Sequence, residues 1–326
     1  MLYIENYSAA KKFHKELMKC WFLTKMNGRY HKINNQLGHN CKDVNCPVCS
    51  IQTHRYPKIP KKFKDFLNYK KNLEILIEGK PNELRLLNLR YEKLILTQNE
   101  KEVITDFLVT KTYEKWFQPK QGFKFLQLLN FNTCVYCNRN YTKTIKDING
   151  DKILICEFDH WFVKTKFPLL AVSFYNLIPS CHPCNSSIKG EPKINWDRAL
   201  RNYIHPYLNE KNQHFNFSYV SKSLTENNVK INVVKNSKMD KTLKLFKTFE
   251  IYNSHSSMEL QGLIDLRHKY PENYIKTLLN DAFKGVLTEN EIYSLIFGVD
   301  VEEKNYHQRP LAKFKHEIIK ELLKEN

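Results

Sequence analysis

Apolar side chains recur at three- and four-residue steps in six stretches of the chain, and each stretch predicts helix. Near the start, Phe13, Leu17, Trp21 and Phe22 share one helical face. Between residues 60 and 130 the period returns in three segments. Phe66, Leu73, Leu76 and Ile77 precede Gly79-Lys80-Pro81, and Leu84, Leu87, Tyr91 and Leu94 follow Pro81-Asn82, a pair suited to opening a helix. Val103, Ile104, Phe107 and Leu108 follow Thr97-Gln98-Asn99-Glu100, which has capping-box spacing. This region reads as a scaffold with no chemistry of its own. Towards the end, Leu243, Phe246 and Phe249, and then Ile318, Ile319, Leu322 and Leu323, repeat the pattern.

The middle of the chain is different. Asn149-Gly150 stands between two β-prone runs, 141–145 and 152–156, which is a hairpin signal. The second of these strands is expected to run on and deliver Asp159 and His160. A loop with Pro168 covers 162–173, a short strand 177–179, and a helix opens near Asn185. A further β-prone stretch, rich in Asn, covers 215–234. These elements predict an α+β, mostly helical protein. Four segments are expected: 1–59, basic, with a zinc knuckle; 60–130, helical; 131–200, the core that carries the chemistry; and 201–326, mostly helical.

Composition sharpens this. At 326 residues and 42% apolar content the chain can fill more than one core. Lys and Arg number 52 against 34 Asp and Glu, a formal net charge of +18 that suggests a polyanionic partner. Thirteen of those cations, against three acids, fall in the first 64 residues. No signal peptide or membrane-length apolar run is present, so a cytoplasmic protein without membrane contact is expected. In that compartment nine cysteines read as metal ligands and spare thiols rather than disulfides.

Two C-x2-C pairs dominate: Cys134-Val-Tyr-Cys137 and Cys181-His-Pro-Cys184. Four thiolates at this pitch can close a tetrahedral zinc shell, and such a shell is structural because it keeps no open position. Cys46 and Cys49 repeat the spacing near the start. Cys41 with either His39 or His54 completes a candidate second zinc site of three cysteines and one histidine. Cys156, inside a strand, reads as a buried thiol.

Asp159-His160 closing one strand, Asn176-Leu177 opening the next, then Cys181-x-x-Cys184-Asn185 and Lys189-Gly190 resemble the HNH nuclease motif over about sixty residues. Shorter strings, among them Phe131-Asn-Thr-Cys134 and His205-Pro-Tyr207, are similar to HNH proteins of bacterial anti-phage systems, including retron-linked and Septu-type nucleases. The resemblance implies a ββα-metal finger, flanked by helical regions, that hydrolyses DNA with Mg2+ or Mn2+. It also implies His160 as general base, Asp159 and Asn185 as ligands of the catalytic ion, and Asn176 as the residue orienting the imidazole. Neighbouring strand residues point to opposite faces, so Asp159 and His160 share a site only if the strand ends there. Lys164, Lys166 and Lys189 are expected on phosphate. Related systems pair the HNH protein with an ATPase, and this chain has no nucleotide-binding motif of its own, which suggests such a partner. Two other readings remain open: a zinc-stabilised nucleic-acid-binding module that does not cut, and an RNase.

Overall fold

A computed structural model describes residues 1–28, 46, 48, 55–150, 152–154, 156–189, 198–210, 212–223, 226–277, 281, 286–298 and 302–323. The chain forms two compact units: Glu5–Asn130 with Thr144–Ile178, and Met1–Ile4 with Phe131–Lys143 and Pro179–Asn326. The segment expected as one core, 131–200, therefore contributes to both.

The first unit is helical. Helix α1 (Ser8–Asn27) buries Leu17, Met18, Trp21, Phe22 and Met26 along one face and ends at Gly28, whose φ of 90° is open to glycine. Short helices α2 (Lys61–Asn68), α3 (Asn72–Glu78) and α4 (Pro81–Glu92) follow. Helix α5 (Gln98–Thr105) opens on a capping box: the Glu100 N–H donates to Thr97 Oγ1 at 3.2 Å, and the Thr97 N–H donates to Glu100 Oε2 at 2.8 Å.

From Asp106 to Gln121 the chain continues as a wide π-helix, with Pro119 inside it. Its buried residues, Phe107, Leu108, Thr112, Tyr113, Trp116, Phe117 and Gln121, recur at steps of four and five, as i→i+5 bonding demands. Trp116 stacks on Trp21 with ring centroids 3.7 Å apart, and the Trp21 indole N–H donates to Thr112 Oγ1 at 2.9 Å. Helix α6 (Gly122–Leu129) then brings in Phe125.

Strands β1 (Ile145–Lys146) and β2 (Lys152–Leu154) pair antiparallel around the turn, where Gly150 has φ 88°. The strand that ends in Asp159-His160 is not their continuation. It is a separate β3 (Glu157–His160), paired with β4 (Leu177–Ser180). Packing explains the break. Phe158 sits edge-on to Phe125 at 5.4 Å within an aromatic core, and Tyr113 Oη donates to the Phe158 carbonyl at 3.3 Å. Strand β4 carries the chain into the second unit.

That unit is built around the seven-residue pairing of β5 (Phe215–Ser221) with β6 (Asn227–Val233), whose register runs from Phe215 opposite Val233 to Ser221 opposite Asn227. Phe217, Val229, Leu243, Tyr252, Leu263, Phe314 and Ile318 share its buried core. The last helix, Ala312–Leu322, lies along β5, where Glu317 accepts from the Phe217 N–H at 2.8 Å and from Asn216 Nδ2 at 2.9 Å. The protein is mostly helical with small sheets. Among the described residues, no helix is long and apolar enough to cross a membrane.

Candidate functional site

The two C-x2-C pairs meet. The sulfurs of Cys134, Cys137, Cys181 and Cys184 all lie within 4.8 Å of one another, and all four residues are buried. Each pair is shaped by its own turn. After Cys134 the chain folds back through Asn138, at φ 49°, whose N–H donates to the Cys134 carbonyl at 2.8 Å, and the Arg139 N–H points at Cys137 Sγ from 3.4 Å. In the second pair the Asn185 N–H donates to the Cys181 carbonyl at 3.0 Å, opening a helical turn over Pro183–Ile188. The Val135 N–H bonds the Pro179 carbonyl at 3.2 Å and ties one knuckle to the strand that leads into the other. Tyr252 Oη caps the Cys137 carbonyl at 2.7 Å.

The thiols suit a soft dication. Zinc–sulfur bonds of about 2.3 Å at tetrahedral angles set the sulfurs roughly 3.8 Å apart. Cys137 Sγ and Cys181 Sγ stand at 3.8 Å. Hydrogen bonds from Cys134 and Cys137 hold Cys181 far below the ordinary thiol range, and the bond from Cys134 brings Cys137 down to about 7. Burial, in contrast, pushes Cys134 well up. Without a cation only part of the set ionises, whereas a bound dication stabilises all four thiolates. These cysteines could hold a metal such as zinc.

The second constellation belongs to the helical unit. Strand β3 includes both Asp159 and His160, and the chain bends directly after it, at Trp161. Both are buried. His160 Nε2 lies 2.8 Å from the Ala171 carbonyl, which can only accept, so that nitrogen carries the ring proton. Tyr113 meets the imidazole edge-on at 4.4 Å. Asn176 is fully buried and spans the loop between the strands. Its Oδ1 accepts from the Phe162 N–H at 2.6 Å, and its Nδ2 donates to the carbonyls of Phe162 at 3.1 Å and Leu170 at 2.9 Å. The Trp161 N–H closes the base of the loop on the Asn176 carbonyl at 3.1 Å. Asn176 thus ties the loop at Phe162 and at Leu170, the residue that precedes Ala171.

Of the three lysines, Lys164 is half-buried, Lys166 exposed and Lys189 buried. Lys164 pairs with Glu114 at 2.6 Å and lies over the Tyr113 ring at 5.2 Å. Lys166 lies over Phe167, and Lys189 is buried, its N–H bonded to the Cys184 carbonyl at 3.2 Å. Asn185 is partly buried in the second unit. Cys41, Cys49 and His54 lie outside the described residues, while Cys46 is buried. Cys156 is buried as expected, its thiol donating to the Glu157 carbonyl at 3.3 Å. The Ala171 carbonyl escaped the sequence reading because backbone acceptors leave no residue-type signal.

The chain is similar to the Septu protein PtuB of Bacillus thuringiensis, with 30% identity over 102 residues. The match covers 30% of this chain and 36% of that protein, so the chain spans about a third of that relative's length. No protein-family model matches the chain, and no solved structure matches it.

Proposed function

We propose that the chain is a metal-dependent HNH endonuclease that hydrolyses DNA phosphodiester bonds as an effector of bacterial anti-phage defence. The observation that carries the reading is the bond from His160 Nε2 to the Ala171 carbonyl at 2.8 Å, in a loop pinned by Asn176. A proton fixed on Nε2 leaves the lone pair of the neutral ring on Nδ1, where it can accept a proton from an attacking water. The β3–β4 pairing followed by the Pro183–Ile188 turn has the order of a ββα finger. Asp159 offers a hard carboxylate at the end of β3, and the order of the motif gives Asn185 the second oxygen ligand. A bound Mg2+ or Mn2+ would supply Lewis-acid stabilisation of the phosphate and its leaving oxygen. The four-cysteine cluster stabilises the finger without taking part in the chemistry.

The defence role rests on the similarity to the Septu protein PtuB and on the flanking strings that resemble Septu-type proteins. An ATPase partner that licenses cleavage belongs to the same reading. The net charge of +18 supports a nucleic-acid substrate. Incubation with matched DNA and RNA, with and without Mg2+ or Mn2+, tests the proposal. Metal-dependent cutting of DNA supports it. Cutting of RNA alone points to an RNase, and salt-sensitive binding without cutting points to a binding module.

A further inference from the structure

The described residues contain a second pair of adjoining thiols, in the helical unit. Cys20, on the buried face of α1, and Cys46 have their sulfurs 3.5 Å apart. Both are buried, at 2% and 4% exposure. That separation is far longer than the roughly 2.05 Å of a disulfide and close to the roughly 3.8 Å between thiolates sharing a tetrahedral ion. In the four-cysteine cluster the sulfurs of Cys137 and Cys181 stand 3.8 Å apart. Cys20 belongs to no motif, so spacing alone gave no reason to count it as a ligand.

Cys46 lies in a stretch of sequence poor in apolar residues. Residues 38–54 hold Val44, Val48 and Ile51 as their aliphatic residues, among three asparagines or aspartates, two histidines and a lysine. Val48 is fully buried as well. The Cys46-Pro-Val-Cys49 spacing is that of a zinc knuckle.

We propose that Cys20 and Cys46 are two ligands of a second thiolate–metal site, taking Zn2+ or a similarly soft dication, with Cys20 the ligand carried by α1. Binding releases the two thiol protons and changes no oxidation state. The site stands whether or not the chain cuts DNA.

The test is the metal content of the purified full chain, by native mass spectrometry and elemental analysis. Wild type should carry about two zinc ions, and Cys20→Ser and Cys46→Ser should each lose one, with Cys156→Ser unchanged. Cys181→Ser should lose the other ion. A wild-type chain with a single zinc overturns the proposal without any variant. So does Cys20→Ser at the wild-type count, or a Cys20–Cys46 disulfide in peptides from unreduced wild type. Should Cys20→Ser not fold, Cys20→Ala, which suits a buried helix position, replaces it in the same measurement.

Discussion

His160 and Ala171 are joined by a 2.8 Å hydrogen bond from the imidazole Nε2 to the backbone carbonyl. The bond does two things for a general base. It fixes the ring's tautomer, and it fixes the ring's direction through a partner that cannot itself change protonation state. The carbonyl is held in turn by the loop, and Asn176 ties that loop at Phe162 and at Leu170.

Asn176→Ala should lower the cleavage rate while leaving substrate affinity close to wild type. It strips partners from three buried backbone groups, which should cost on the order of 2 to 4 kcal/mol of stability. Asn176→Asp keeps the bond to the Phe162 N–H but loses both donors, so it should fall between. Steady-state kinetics beside urea unfolding separates the effects. A variant that is less stable but turns over as fast as wild type would remove Asn176 from the positioning role.

His160→Ala deletes the proposed base and none of the four clustered cysteines. Cleavage should drop about a hundredfold to ten-thousandfold, with DNA binding and zinc content unchanged. Asp159→Ala should be comparably slow, with a weaker response to added Mg2+. Single-turnover cleavage read against a binding titration is the measurement. Wild-type rates in His160→Ala would end the assignment.

What the sequence disclosed depended on whether the signal was local. The Thr97–Glu100 capping box, the Asn149-Gly150 turn and the end of β3 at His160 are all short-range, and each stands where the residues placed it. The meeting of Cys134, Cys137, Cys181 and Cys184 was legible because a metal shell imposes its own spacing on distant segments. The π-helix was not legible, since its steps of four and five overlap those of an α-helix over a few turns. Nor was the separation of β3 from β2. A run of β-prone residues does not say where pairing stops, and the aromatic core around Phe158 decided it. The Lys164–Glu114 pair joins residues fifty positions apart, and a charge met in sequence carries no record of such a partner.

Cys181→Ser should leave the second unit unable to close its metal shell. The unit's hydrophobic core around β5 and β6 remains, so the loss should be concentrated in the two knuckles and the Pro183–Ile188 turn. Reduced protein treated with a strong zinc chelator should behave like the variant. Hydrogen exchange checks this: amides at Asn138, Arg139 and Asn185 should lose protection, and those of β5 and β6 should keep it. Uniform loss of protection would mean that the metal holds the whole unit together. Unchanged protection at the knuckles would mean that the thiols pack without metal.

His14 gives the stability its acid limit. Its ring is fully buried against Phe117, Phe125 and Phe174, with centroids 5.6, 5.8 and 5.6 Å away, and neither nitrogen has a well-formed hydrogen bond. Burial lowers its pKa to about 3, against a small opposing pull from the backbone of Val172. The folded chain thus keeps the ring neutral where the unfolded chain, titrating near 6.5, takes up a proton. Between those values the unfolded state binds one proton more, so stability rises with pH and is lost on acidification. Each pH unit in that window is worth about 1.4 kcal/mol, so acidification from about pH 6.5 to 5 should cost roughly 2 kcal/mol at this residue. His14→Phe places an aromatic ring among aromatic rings and removes the titration. Urea unfolding of both proteins at about pH 7.5 and 5 should show wild type losing roughly 2 kcal/mol more than His14→Phe. Equal losses would show that the folded protein accommodates the imidazolium, and that the pocket around α1 is wetter than its packing implies.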